Sequence, residues 1–102
     1  MKNQNYELII SPEAVEEFNA SIEFYKSKKE NLDIEFVNEI EKTLDRIVAN
    51  PEQFPKVKQK PIRKALVNRF PFGIYFAQKD SIINVLAIFN FSRNPKRLKK
   101  RF

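Results

Sequence analysis

Apolar side chains recur at spacings of three and four residues through the first half of the chain, which is the pattern of amphipathic helices. The two stripes that result are Ala14, Val15, Phe18, Ile22 and Tyr25, and then Phe36 or Val37, Ile40, Leu44, Ile47 and Val48. Ser11 and Pro12 suit an N-cap and a first helical position, and Asn50 before Pro51 favours a helix end. The pattern therefore predicts a hairpin of two helices over about 12–28 and 32–49, separated by the polar residues 26–31.

In the second half the apolar period falls to two or disappears, which indicates β-strands. Strands are predicted at 62–67, 72–78 and 82–91, and a shorter one at 6–10 precedes the first helix. The run 82–91 is apolar on both faces, as a central strand would be. This order predicts an α+β fold in one domain, 1–102, with both helices on one face of the sheet. The helical hairpin covers about 12–49, and a three-stranded antiparallel meander with a basic region covers about 56–102.

The composition excludes several kinds of chemistry. The 102 residues contain no cysteine and no histidine, which rules out thiolate metal sites and a Ser-His-Asp triad. We therefore expect no metal site and no cofactor. The longest apolar run, Val85 to Phe89, is too short to cross a bilayer, so no membrane association is expected. A chain without cysteine is typical of a reducing compartment, and we expect it in the cytoplasm.

Charge is divided unequally along the chain, whose formal net charge is +6. Residues 1–50 hold six basic and eleven acidic side chains, whereas residues 51–102 hold thirteen basic and two acidic ones. Such an asymmetry predicts a basic face rather than a mixed surface. A basic face attracts nucleic acid or an acidic protein segment.

Four segments together resemble the RelE/ParE superfamily, the toxins of bacterial type II toxin–antitoxin systems, and most closely its plasmid-stabilisation branch. They are residues 6–14 (YELIISPEA), 47–51 (IVANP), 62–76 (IRKALVNRFPFGIYF) and 85–95 (VLAIFNFSRNP). The resemblance implies the same α+β fold, growth inhibition as the activity, and a cognate antitoxin that is acidic and partly disordered. Some toxins of this superfamily cleave mRNA on the ribosome without a metal, and others inhibit DNA gyrase.

The resemblance also implies roles for particular residues. Arg63 and Arg93 stand where the family has its strand and post-strand arginines, which would clamp a phosphate in a ribonuclease. Otherwise both are solvated or pair with acidic residues of the helical hairpin. Lys56, Lys58 and Lys60 correspond to lysines that contact RNA, and their alternate spacing would place them along one side of an extended segment. Tyr75 and Asn90 are either lining residues of such a site or ordinary residues of their strands.

Further cations extend the predicted basic face. Arg69 has the same parity as Arg63, so an unbroken strand would place both on one face unless the turn at Phe70 and Pro71 disturbs it. Asn90 has the same parity as Asn84, so both either face the polar side of the sheet or mark its exposed end. The basic residues of the C-terminal tail are either exposed to solvent or bind a polyanion. They are Lys96, Arg97, Lys99, Lys100 and Arg101.

Two departures from the family pattern argue against RNA cleavage. Asn90 stands where many relatives have a histidine, and the tail after Pro95 lacks the tyrosine or histidine of the ribonucleases. Three functions therefore remain open: a ribosome-associated endoribonuclease, a ParE-like gyrase inhibitor that is not an enzyme, and a protein that only binds its antitoxin. Aromatic residues of the helices either belong to the core or form a groove for an antitoxin segment. Whether the protein is a monomer or a homo-oligomer is left open by the sequence. These aromatics are Phe18, Phe24, Tyr25 and Phe36.

Overall fold

A computed structural model describes residues 5–58, 60–93 and 101–102. Both helices have the predicted bounds, and the four strands lie within a residue or two of their predicted positions. The elements are β1 (Glu7–Ile10), α1 (Pro12–Lys28), α2 (Leu32–Ala49), a 3-10 helix (Pro51–Gln53), β2 (Arg63–Leu66), β3 (Phe72–Lys79) and β4 (Ile82–Asn90). The α+β prediction is confirmed.

The residues at the helix ends explain where the helices begin and turn. The Ser11 side chain accepts a hydrogen bond from the backbone N–H of Ala14 at 3.1 Å, which satisfies one of the free donors of the first turn. Asn31 has a φ of 68°, a left-handed conformation that asparagine tolerates, and it separates the two helices. The helical hairpin is therefore set by local sequence.

The four strands form one mixed sheet in the order β1-β4-β3-β2. β4 is the longest strand and lies in the interior of the sheet, as its apolar sequence predicts. It pairs in parallel with β1 and antiparallel with β3, and β3 pairs antiparallel with β2. The pairing with β1 ends at Val85, opposite Ile10, because the chain then turns through Ser11 into α1.

A β-bulge interrupts β4 in its middle. Tyr75 lies opposite Ala87, but the next residue, Phe76, lies opposite Val85, so Leu86 is the extra residue. An extra residue reverses the alternation of faces beyond it. The prediction that Asn84 and Asn90 share a face is therefore wrong.

The two faces of the sheet carry separate apolar clusters. The face under the helices holds the main core, in which the fully buried Phe36 of α2 packs with Ile74 and Phe76 of β3. The opposite face, which we call the open face, carries the buried Tyr75, Ala87 and Phe89. No helix covers the open face among the described elements. Three partly buried side chains pack on it instead: Val57, Ile62 and Phe102.

Gly73 allows a close contact on the open face. A Cβ atom at this position would lie 2.6 Å from Cζ of Phe91. Gly73→Ala is expected to lower the free energy of unfolding by about 1 kcal/mol, the low end for an overpacked site, because the Phe91 ring is 38% exposed and can rotate aside. Urea unfolding should show a much smaller loss when Phe91 is already alanine. An equal loss in both backgrounds would mean that the Phe91 ring is not the cause.

Candidate functional site

Arg63, the first candidate for a phosphate clamp, is engaged with the backbone of a neighbouring turn. Its Nη1 atom donates to the carbonyl oxygen of Phe54 at 2.6 Å and to that of Glu52 at 3.4 Å. Arg63 pairs with Phe76 of β3, so its side chain lies on the helical side of the sheet. The guanidinium thus fastens the 3-10 helix to β2.

Arg93, the second candidate, lies in acidic surroundings. It follows β4 and lines a cavity of about 330 Å³ between α1 and the end of that strand. Glu13, Glu16 and Glu17 of α1 line the same cavity. Arg101 lines it too and pairs with Glu13 and Glu17, so three carboxylates face two guanidinium groups and the remaining negative charge does not favour a phosphate. Arg63 is not among the residues of the cavity, so the structure does not bring the two arginines together.

Arg69 lies beyond the end of β2, in a turn where its φ is 72°. Arg69 therefore does not lie in one strand with Arg63, although both side chains lie on the helical side of the sheet. Its guanidinium hydrogen-bonds to Glu35 of α2, and Nη1 lies 3.7 Å from Oε2 of Glu39. The hydrogen bond and the charge of Glu35 raise the pKa of Arg69. This arginine joins the β2–β3 turn to α2.

Arg101 is also engaged within the molecule. Its guanidinium pairs with Glu17, its Nε atom lies 3.5 Å from Oε2 of Glu13, and its Nη2 atom donates to the carbonyl of Leu86 at 2.6 Å. The tail residue therefore joins α1 to the bulge of β4 instead of extending into solvent. The other predicted cations of the tail lie outside the described residues: Lys96, Arg97, Lys99 and Lys100.

The remaining lysines lie on a hairpin. The backbone N–H of Val57 donates to Ile62 at 2.7 Å and that of Lys64 donates to Pro55 at 3.1 Å, so residues 55–57 pair with 62–64. Lys58 has a φ of 55° in the turn between them, which contradicts the predicted extended segment. Lys56, Lys58 and Lys60 are all exposed. We call residues 55–64, Gln59 excepted, the lysine hairpin.

Tyr75 and Asn90 occupy different surroundings. Tyr75 is 2% exposed on the open face, and the ring of Phe102 stacks on it with centroids 5.1 Å apart. The Asn90 side chain accepts from the backbone N–H of Ser92 at 2.8 Å, which closes the turn after β4. Asn90 lines the acidic cavity, whereas Tyr75 does not. The two residues therefore do not form one site with Arg63.

Burial raises the pKa of Tyr75 above its usual value of 10.0. The folded state therefore favours the protonated phenol. The stability that this preference contributes is fully present below pH 10, and it is lost as the pH rises through the higher pKa of the folded state. We expect the free energy of unfolding to fall above about pH 10 and to fall less in Tyr75→Phe. Urea unfolding at a series of alkaline pH values measures this. Identical pH profiles for the two proteins would contradict it.

Sequence reasoning missed the roles of Glu13 and Glu17. Both lie in the first half of α1, where an acidic side chain interacts favourably with the helix dipole. In the structure Oε1 of Glu17 also accepts from the backbone N–H of Ile88 at 3.0 Å. The partner residues are 71 and 84 positions away in sequence, so no local pattern predicts these contacts.

Comparison with known proteins adds a structural likeness. No protein-family model matches the chain, and neither does any curated protein sequence. A solved structure described as the chromosomal ParDE toxin–antitoxin system from P. aeruginosa matches with a TM-score of 0.73. The match covers 83% of this chain and 95% of that chain at 18% identity. This chain has the RelE/ParE fold.

The RelE/ParE fold confirms the architecture implied by the four sequence segments. At 18% identity the likeness extends to the arrangement of helices and strands and does not extend to the activity. In the described part of the chain no helix has the length and apolar character needed to span a membrane. Within the same residues no cluster of three or more acidic, histidine or cysteine side chains is placed to hold a metal ion.

Proposed function

We propose that this protein is the toxin of a type II toxin–antitoxin pair and that it stops growth by binding DNA gyrase without cleaving RNA. The observation that carries the proposal is the separation of Arg63 from Arg93. Arg63 donates to two backbone carbonyls, and Arg93 lies among three glutamates. The shared fold with a chain of a ParDE system supports the same assignment.

Metal-independent RNA cleavage requires groups that these residues do not supply together. The 2′-hydroxyl must lose a proton, the leaving oxygen must gain one, and the crowded phosphate must be held by cations. The chain has no histidine, and the amide of Asn90 does not transfer protons at neutral pH. The cavity that Arg93 lines includes neither Arg63 nor any other residue of the lysine hairpin. Binding without catalysis needs none of these groups.

The lysine hairpin is the surface that we assign to the target. Lys56, Lys58 and Lys60 are exposed, and no carboxylate of the described residues lies within ion-pair distance of their ammonium groups. The first half of the chain carries most of the acidic residues, so the molecule has a marked division of charge. Unpaired lysines on an exposed turn accelerate the association of this protein with an acidic surface of the target or with DNA that the target binds.

The antitoxin is assigned to the helical side. A cavity of about 250 Å³ opens between the two helices and the sheet, and its lining is apolar except for Glu41. The lining includes Val15 of α1 and Leu44 of α2, and Val15 is exposed. Such a groove suits the apolar side chains of a segment that folds on binding. We place both partners in the cytoplasm.

The proposal is tested by inducing the protein alone in a bacterial cell while DNA, RNA and protein synthesis are measured by pulse labelling. We expect DNA synthesis to stop first and mRNA to keep its original ends. Arg63→Ala, expressed to the same level, loosens the turn beside the lysine hairpin and should weaken inhibition only in part, with DNA synthesis still the first to stop. Early loss of translation with new mRNA ends, abolished by Arg63→Ala, would instead establish a ribonuclease. Normal growth at good expression would indicate a protein that only binds its antitoxin.

A further inference from the structure

One half of β4 lacks a neighbouring strand on the side of β1. The pairing with β1 stops at Val85, and none of the other described strands lies on that side of residues 86–90. Backbone groups at such an edge are left without ladder partners. The acidic cavity between α1 and β4 opens directly onto this edge, because Ile88, Phe89 and Asn90 form part of its lining.

Three side chains make hydrogen bonds that a neighbouring strand would otherwise make, and one of them is Ser11, whose Oγ donates to the carbonyl of Leu86 at 3.3 Å. Oε1 of Glu17 accepts from the backbone N–H of Ile88 at 3.0 Å, and Nη2 of Arg101 donates to the carbonyl of Leu86 at 2.6 Å. The same carboxylate and guanidinium pair with each other. An ion pair therefore occupies the position of a strand on this edge.

The edge continues beyond the ion pair. Alternation along a strand directs the carbonyl of Ile88 and the N–H of Asn90 to the same side as the N–H of Ile88. The cavity beside them has a volume of about 330 Å³. Glu13, Glu16 and Glu17 supply negative charge, and Ala20 and Ile88 supply apolar contact for the methylene groups of a long side chain.

The position of Arg101 shows which side chain this edge accepts. Its guanidinium contacts Glu17, Glu13 and the Leu86 carbonyl at once, which uses the fixed fork of donors that arginine presents. A lysine ammonium is a single point and could not match all three partners in the same way. The edge therefore fits a guanidinium beside an extended backbone.

We propose that residues 86–90 of β4 and the glutamates of α1 form a docking site for an extended, arginine-bearing segment of a partner protein, and that Arg101 occupies this site in the free chain. The incoming segment pairs its backbone with β4, and its arginine replaces Arg101 between Glu13 and Glu17. Affinity comes from the ladder of backbone hydrogen bonds, and specificity comes from the guanidinium. The proposal goes beyond the proposed function and does not depend on the identity of the target.

A peptide of residues 95–102 (PKRLKKRF), labelled with fluorescein at its N-terminus, provides an arginine-bearing probe. Binding is measured by fluorescence anisotropy against full-length proteins. We expect Arg101→Ala to bind the peptide about tenfold or more tightly than the natural chain, because its site is vacated. Adding Glu17→Gln to Arg101→Ala should abolish that gain. Glu23→Gln, which removes the same charge elsewhere on α1, should preserve it.

Three results would overturn the proposal. They are equal binding by the natural chain and Arg101→Ala, binding that survives Glu17→Gln, and equal binding of a peptide whose residue corresponding to Arg101 is alanine. Thermal unfolding checks that each variant is folded. If Arg101→Ala is not folded, Arg101→Lys takes its place, and we expect a smaller gain in affinity for the peptide. Light scattering measures the oligomeric state. If the natural chain were a dimer and Arg101→Ala a monomer, the edge would bind a second copy of this chain instead of a partner protein.

Discussion

Phe36→Ala is expected to lower the free energy of unfolding by about 3–5 kcal/mol. Phe36 is 0% exposed, and its ring contacts four other aromatic rings, so its removal leaves a cavity that no neighbour can fill. Those rings belong to Phe18, Tyr25, Phe70 and Phe72. Domains of this size are stable by about 5–15 kcal/mol, so the substitution removes a large part of the total.

Phe24→Ala is the matched control, because it deletes the same ring from the other helix. Phe24 is 47% exposed and contacts only Tyr25 and Lys28 among the ring interactions of the described residues. We expect a loss below about 1 kcal/mol, measured by urea unfolding of both variants. Equal losses for Phe36→Ala and Phe24→Ala would contradict the placement of the core.

Replacing Lys56, Lys58 and Lys60 together by glutamine is expected to weaken growth inhibition by about tenfold or more, since association with a charged target depends on the summed local potential. The three side chains are exposed, so the variant should keep its fold. The measurement is the amount of protein, determined by immunoblot, that halves the growth rate.

The control for this variant removes three positive charges from another exposed surface. Lys26, Lys28 and Lys29 lie at the end of α1, and their replacement by glutamine changes the net charge equally. We expect growth inhibition to be nearly unchanged in this control. If both triple variants lost inhibition to the same extent, net charge rather than the lysine hairpin would be responsible.

The helical hairpin could be predicted from the sequence because its signals are local. Ser11 and Pro12 start α1, Asn50 and Pro51 end α2, and the apolar spacing between them fits a helix. The strands of the meander were predictable for the same reason, since each is bounded by proline or turn residues. The resemblance of the four segments to RelE/ParE toxins predicted the fold that the structural comparison found.

The arrangement of the candidate site could not be predicted, because it depends on contacts between distant residues. The bulge at Leu86 reverses the faces of β4, and nothing in an apolar run marks where a register shift will occur. Arg69 and Arg101 are both cations in basic segments, yet they pair with glutamates of α2 and α1. The alternation of Lys56, Lys58 and Lys60 favoured an extended segment, whereas a left-handed residue at Lys58 makes a turn.

The most direct test of a non-catalytic toxin is a pair of assays with the purified protein. One assay follows supercoiling of relaxed plasmid by DNA gyrase, and the other follows cleavage of mRNA on programmed ribosomes. We expect the protein to block supercoiling, the variant with glutamine at Lys56, Lys58 and Lys60 to block it poorly, and mRNA to stay intact. Cleaved mRNA with unimpaired supercoiling would contradict the proposed function.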